Sequence, residues 1–307
     1  MLKEFLKLPF ISLFILVNFS YSQLKEEKII FLGHAYGSHF ELDKQLDKVV
    51  INLLEKKEEY KIDEFIFGGD FIYNCFDAEE RENLFNKIKN KNVSLVLGNH
   101  DNCDSIKKKL KLFKGDLSYS RTLNDNLFLY INTSISSNAE LSNLILFTKK
   151  EIETSKPKNI LIFCHQTIFS KNDFYLRTNS RKYYEKGNLF YEFLQEEYKN
   201  EKHEVFLFTG DIGAFSFTPY SFYSKDANFN LYAVGLGNKH KKYGIQIDIS
   251  DKLEINFIDL KNQEIINPKS YGKFKMQIYQ FPKLILFHIK SNLKITIVSL
   301  ILCIFVF

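Results

Sequence analysis

Histidines, aspartates and an asparagine recur in this chain beside glycine, in five short clusters. They are Gly33-His34-Ala35-Tyr36-Gly37, Gly68-Gly69-Asp70, Gly98-Asn99-His100-Asp101, Cys164-His165-Gln166 and Gly210-Asp211-Ile212-Gly213. Imidazole nitrogen, carboxylate oxygen and amide oxygen are donors that borderline ions such as Mn, Fe and Zn accept. An imidazole can also pass a proton to or from a reacting oxygen. The glycines allow sharp turns and let side chains approach a common centre. Each cluster alone says little. A Gly-Asp pair after a strand is ordinarily a turn, and a single strand-end histidine is ordinarily a hydrogen-bonded structural residue. The Asn-His-Asp run is rarer, and five such clusters in series are hard to obtain by accident.

The elements that must position them read as alternating strands and helices. Residues 28–32 (KIIFL) form a short apolar strand that ends at the first cluster. Leu42, Leu46, Val49, Val50, Leu53 and Leu54 then follow helical spacing. Strands over 65–67 and 93–97 are separated by a helix over 77–89 that carries Leu84, Phe85 and Ile88 on one side. Further strands are expected over 127–131, 160–164 and 205–208, with a helix near 142–154. The texture then changes. Residues 231–236, 245–249 and 253–258 are strands joined by polar turns, with no helix between. Alternating βα units followed by a β-rich end predict two packed sheets with helices outside. Every cluster falls at the C-terminal end of a predicted strand, where ligands gather in α/β sheets. Residues 171–186 lack periodicity and read as a loop over the site. Arg177, Arg181, Lys182, Tyr183 and Tyr184 in it either recognise phosphate or sugar, or form a solvated surface.

A chain of 307 residues can hold one large α/β domain or two small ones. Its formal charge of +5 is a mild excess that does not argue for nucleic acid. The basic run over 107–114 (KKKLKLFK) reads as a solvated helix face with Leu110 and Phe113 turned inward; a phosphate-rich or membrane-surface partner is the alternative. No two of the four cysteines have CxxC spacing, which excludes a zinc knuckle or a thioredoxin motif. Cys164 reads as a core thiol and Cys303 lies in an apolar tail. Cys75 and Cys103 each follow a cluster by a few residues, and a disulfide between them would need an oxidising compartment.

Both ends are apolar. Lys3 and Lys7, the run over 8–19 and then Ser20-Tyr21-Ser22 read as a secretory signal with Gln23 as the mature start; an uncleaved anchor is the alternative. Residues 295–307 are apolar but shorter than the roughly 20 residues of a membrane helix. They read as a short terminal anchor or an interfacial helix, or else as a tail packed on the domain. The expected organisation is a signal peptide over 1–22, one domain over 23–265 and an extension over 266–307.

The set of clusters resembles the calcineurin-like metallophosphoesterase superfamily, over roughly 28–260. The family pattern runs GDxHG, GGD, GNHD, a His-containing strand end, and GHxH. GGD, GNHD and the His165 cluster stand intact here. The resemblance implies an αββα sandwich that binds one or two divalent ions (Mn, Fe or Zn). It implies Asp70 as the bridging carboxylate, with Asn99 and His165 as ligands of the second ion. It also implies His100 as the residue that protonates the leaving oxygen, oriented by Asp101.

Two clusters depart from the pattern. His34 and Tyr36 stand where GDxHG has Asp and His, while Asp211 and Gly213 stand where GHxH has its histidines. Asp70, Asn99, His165 and Asp211 therefore keep one ion's set. The other is thinned to Asp70 and His34. Tyr36 would favour Fe(III) as a tyrosinate, or hydrogen-bond substrate as a neutral phenol, and Gly213 leaves a position open. The expected activity is hydrolysis of a phosphomonoester or phosphodiester outside the cytoplasm, on a small-molecule, lipid or glycan phosphate. The alternative is a catalytically impaired phosphate-binding or scaffold protein.

Overall fold

The computed structural model describes residues 25–37, 46–114, 116–168, 179, 184–214, 219–237 and 242–266, with Pro282, Ile285, Leu286 and Ile289 beyond them. The expectations for the two apolar ends, Leu42, Cys303, Arg177, Arg181, Lys182 and Tyr183 lie outside these residues, as do the side chains of Phe113 and Tyr184. Among the described residues no helix is long and apolar enough to cross a membrane.

Strands β1 (Glu27–Leu32), β2 (Glu64–Gly68) and β3 (Val93–Val96) run parallel at one side of the first sheet. Helices α1 (Lys48–Glu55), α2 (Ala78–Ile88) and α3 (Asp104–Lys114) follow them in turn. The second sheet opens with the antiparallel pair β4 (Tyr119–Leu123) and β5 (Asn126–Tyr130). Next come α4 (Asn138–Ser155), β6 (Asn159–Cys164), α5 (Tyr184–Tyr198) and β7 (Glu204–Thr209). The hairpin β8 (Ser221–Asp226) and β9 (Phe229–Val234) completes that sheet in the order β4-β5-β6-β7-β9-β8. The chain then returns to the first sheet as β10 (Tyr243–Ile249), β11 (Leu253–Asp259) and β12 (Glu264–Ile266), giving the order β12-β11-β10-β1-β2-β3.

Side-chain alternation builds three apolar layers from these strands. In β1, Ile29 and Phe31 face the second sheet while Ile30 and Leu32 face the helices. Phe163 of β6 stacks on Phe208 of β7 between the sheets, with centroids 4.8 Å apart. Val50, Leu84 and Ile106 cover the outside of the first sheet, and Leu144, Ile152 and Phe190 that of the second. Strands buried on both faces read as continuous apolar runs, which is why KIIFL and ILIFC were visible in the sequence. This is the expected two-sheet α/β sandwich.

Several local expectations change. Helix α1 starts at Lys48, because Asp47 caps it by accepting from Val49 N at 2.9 Å; Leu46 precedes the helix. Residues 184–186 belong to α5 and not to a loop. Three edge or near-edge strands, β4, β8 and β12, are additional. Leu110 does turn inward from α3, and Lys109 lies 4.0 Å from the centre of the Phe85 ring.

Candidate metal centre

Because β1, β2 and β3 are parallel, as are β6 and β7, their following loops emerge at one edge of the sandwich. All five clusters occupy those loops. The loop after β2 can press against the second sheet only because residue 69 is glycine. Its φ is +80°, and a Cβ there would sit 2.3 Å from His165 Nδ1. Asp70 follows with φ 49°, a left-handed conformation that aspartate tolerates better than most residues. Its Oδ1 accepts from His100 N at 3.0 Å, which locks the carboxylate between the second and third loops.

The centre of the site is His165 Nε2. His165 Nδ1 lies 2.9 Å from the Gly68 carbonyl oxygen and donates to it, so in the neutral ring Nε2 carries a lone pair. Around that nitrogen stand Asn99 Oδ1 at 3.2 Å, Asp70 Oδ2 at 3.3 Å and Asp211 Oδ1 at 3.7 Å. Ligands held about 2.1 Å from one ion stand roughly 3.0–3.4 Å from each other, so this is close to the edge spacing of a coordination shell. Asp70, His165 and Asp211 are all buried, and their donor atoms lie within 4.8 Å of one another. Four electron-rich atoms facing inward need a cation among them. Without a metal that cation is a proton. Burial alone would lower the His165 pKa, but Asp70 and then Asp211 push it up to about 10. Burial would likewise raise Asp70, yet His165, His34 and His100 hold it well below the usual carboxylate range. The donor set fits a divalent transition-metal ion held by Asp70, Asn99, His165 and Asp211.

The other side of Asp70 is sparser. His34 Nδ1 lies 3.0 Å from the Leu236 carbonyl oxygen and 3.2 Å from that of Gly37, and its Nε2 stands 3.7 Å from Asp70 Oδ2. His34 thus presents a second imidazole edge to the same carboxylate oxygen, as a bridging arrangement requires. Tyr36 is buried with its ring 4.3 Å from that of His34 and 5.2 Å from that of His100. Burial, then Asp70 and Asp101, push its phenol far above the ordinary range, which favours the neutral phenol over a tyrosinate. Gly213 has φ +89°, and a Cβ there would meet the Gly235 carbonyl oxygen at 2.5 Å. The missing histidine of the last cluster is therefore built into the backbone.

His100 and Asp101 do not act on each other as a simple pair. Asp101 Oδ1 accepts from Phe71 N at 3.1 Å and Ile72 N at 3.2 Å, and Oδ2 accepts from Gly98 N at 2.8 Å. Its side chain, fully buried, splices the second loop to the third. The acceptor beside His100 Nδ1 is the Tyr73 carbonyl oxygen, at 2.8 Å. The carboxylate of Asp101 thus bears on His100 through the backbone that it ties together. His100 itself is half-buried at the mouth, with the Tyr73 ring stacked 5.8 Å away. Sequence reasoning missed Tyr73 and Leu236 because they act through backbone oxygen. It also missed Asn179, whose N donates to the Asp211 carbonyl at 2.9 Å and whose Oδ1 accepts from Ala214 N. Its position within the segment read as a loop over the site was the available signal.

The sequence matches the calcineurin-like phosphoesterase family over residues 28–204. The chain belongs to that family. No curated protein matches it. Among solved structures, this phosphoesterase-family chain resembles a purple acid phosphatase from yellow lupin (Lupinus luteus) seeds, with a TM-score of 0.52 and 11% identity. That match covers 80% of this chain and 53% of the lupin enzyme, so the chain spans about half the length of that relative. It also resembles a dimetal phosphatase from Danio rerio, with a TM-score of 0.50 and 10% identity over 75% of this chain and 95% of that one. At such identities the likeness is one of fold.

Proposed function

We propose that the protein is a metal-dependent phosphoester hydrolase that works outside the cytoplasm. The observation that carries this is the convergence of Asn99, Asp70 and Asp211 oxygens on the Nε2 edge of His165. A bound ion supplies Lewis acidity there, making water more acidic and offsetting phosphoryl charge. The chain's own groups do the rest. The Gly68 carbonyl fixes the His165 tautomer, and the His100 amide fixes Asp70. His100, held at Nδ1 by the Tyr73 carbonyl, donates a proton to the leaving oxygen. His34 and Asp70 define a second, weaker place for an ion.

Export rests on the basic start, apolar run and Ser20-Tyr21-Ser22 of the N-terminal segment. We assign 1–22 as the signal, 23–265 as the phosphoesterase domain and 266–307 as an extension with an apolar tail. The substrate is then an extracytoplasmic phosphomonoester or phosphodiester: a small molecule, a lipid headgroup or a glycan phosphate. The backbone-enforced loss at Gly213 favours a second reading, a phosphate-binding or scaffold protein with impaired catalysis.

Elemental analysis of the purified chain, followed by assay on an aryl phosphate and an aryl phosphodiester with added Mn or Fe, separates these. The expected result is at least one ion per chain and hydrolysis that falls about 10²–10⁴-fold in His100→Ala. Full activity in His100→Ala would sink the proton-donor role. No metal together with no hydrolysis would leave the scaffold reading.

A further inference from the structure

The two loops that hold His100 each contain a buried cysteine that the hydrolytic chemistry does not use. Cys75 lies two residues after Tyr73, and Cys103 three residues after His100. They are 3% and 5% exposed, and both are free thiols. Cys103 Sγ donates to the Cys75 carbonyl oxygen at 3.2 Å and lies 3.3 Å from Ser105 Oγ. The backbone is pinned on both sides. Arg81 Nη1 donates to the Cys75 carbonyl at 2.7 Å, and Cys103 N donates to the Asp101 carbonyl at 2.9 Å. The Cys103 sulfur thus already lies against the backbone of Cys75.

We propose that Cys75 and Cys103 form a redox couple that closes to a disulfide, stitching the loop after β2 to the loop after β3. The oxidant is a small-molecule disulfide such as oxidised glutathione. One protein thiol, as its thiolate, attacks a sulfur of the reagent and expels a reagent thiolate. The second protein thiol then displaces the other reagent thiolate. One S–S bond breaks in the reagent and one forms in the protein, while two electrons and two protons leave with two reagent thiols. Burial, and then the neighbouring thiol, push the Cys75 thiol up, so exchange in the folded chain is slow and the bond forms most readily during folding in an oxidising compartment. Once closed, the bond fixes the Tyr73 carbonyl relative to His100 and cross-links a chain segment of nearly thirty residues.

The linkage stands on this geometry alone. Any effect on turnover rests on the function proposed above, so mass and activity are read separately. The full chain is held with oxidised glutathione, denatured, alkylated and digested. The expected result is a peptide joining Cys75 to Cys103, lost on reduction, with Cys164 alkylated. The unfolding midpoint of the oxidised protein should rise by about 5 °C over the reduced one. Cys75→Ser/Cys103→Ser and the single Cys103→Ser should show neither the peptide nor the rise. Separate alkylation of Cys75 and Cys103 after both oxidation of the folded chain and refolding with the same reagent overturns the proposal. So does a rise in midpoint that persists in the double variant.

Discussion

Two buried acidic clusters stand at opposite ends of β1 and β2, and they are neutralised in different ways. At the start of the strands, Glu27 and Glu64 flank a guanidinium that the second sheet inserts between them. Arg121 Nη2 lies 3.0 Å from Glu27 Oε2 and 2.5 Å from Glu64 Oε2, and its Nε donates to Tyr130 Oη at 3.1 Å. Burial would lower the Arg121 pKa, but Tyr130 and Glu64 raise it, and the cation is permanent. At the far end, Asp70 and Asp211 flank His165, whose Nε2 carries a proton or presents a lone pair. The first cluster is complete within the chain and can only hold the sheets together. The second is complete only with an exchangeable cation, and exchangeable charge is what chemistry requires.

The sharpest way to break this contrast is to remove the imidazole. His165→Ala should lose the bound metal, measured per chain, and lower phosphoester turnover by about 10³-fold or more. The Arg121 cluster should be untouched, so the protein should remain folded, with a lower unfolding midpoint because Asp70 and Asp211 lose their cation. A fully active, metal-loaded His165→Ala would show that the donor cluster is structural too.

The reverse experiment is Arg121→Ala. It leaves the buried Glu64 without its cation and Glu27 with Lys25 alone, which costs about 3 kcal/mol and a fall of about 8–10 °C in unfolding midpoint. Turnover per folded molecule should stay within about twofold of the parent. If activity collapsed while the midpoint held, the two ends would not be separable in the way their contacts indicate.

How far this contrast was legible in the sequence depends on which atoms act. Side-chain donors after apolar strands were readable: Asp70, Asn99, His165 and Asp211 meet at one nitrogen, as their strand ends required. Arg121 was not, because YSRTL is a polar strand at a sheet edge without a clean alternation, and only tertiary pairing makes it one. The same holds for SFYSKD in β8. Helix α5 escaped because aromatic, acidic and glycine residues blur its period; Gly187 is needed where a Cβ would come 2.8 Å from Ile168. The adjacency of His100 and Asp101 suggested a pair, but neighbouring side chains leave the backbone in different directions. Asp101 met three amides that no residue type announces.

A pH titration separates the two cations by their chemistry. In chelated protein His165 titrates at about 10, above its ordinary value near 6.5. A raised folded pKa contributes stability that is complete below about 6.5 and is lost as pH climbs through about 10. The midpoint of the chelated protein should therefore fall by about 5 °C between pH 7 and 10 relative to the metal-loaded protein, whose cation does not titrate away as a proton does. Parallel curves for the two forms would mean that no proton occupies the place between Asp70 and Asp211.

The smallest effect tests whether the sparse side of Asp70 can be rebuilt. Gly213→His restores the residue type that the family pattern has there. The position, however, is left-handed, and a Cβ there would meet the Gly235 carbonyl oxygen at 2.5 Å. A non-glycine residue in that conformation costs about 1 kcal/mol before any clash, so the midpoint should drop by about 2–4 °C. Ions per chain should not increase, because the imidazole would enter from a backbone whose path is set by its packing on Gly235. A second ion gained without loss of stability would show instead that only a side chain was missing. The thinned half of the centre would then be a lapsed ligand set rather than a closed one.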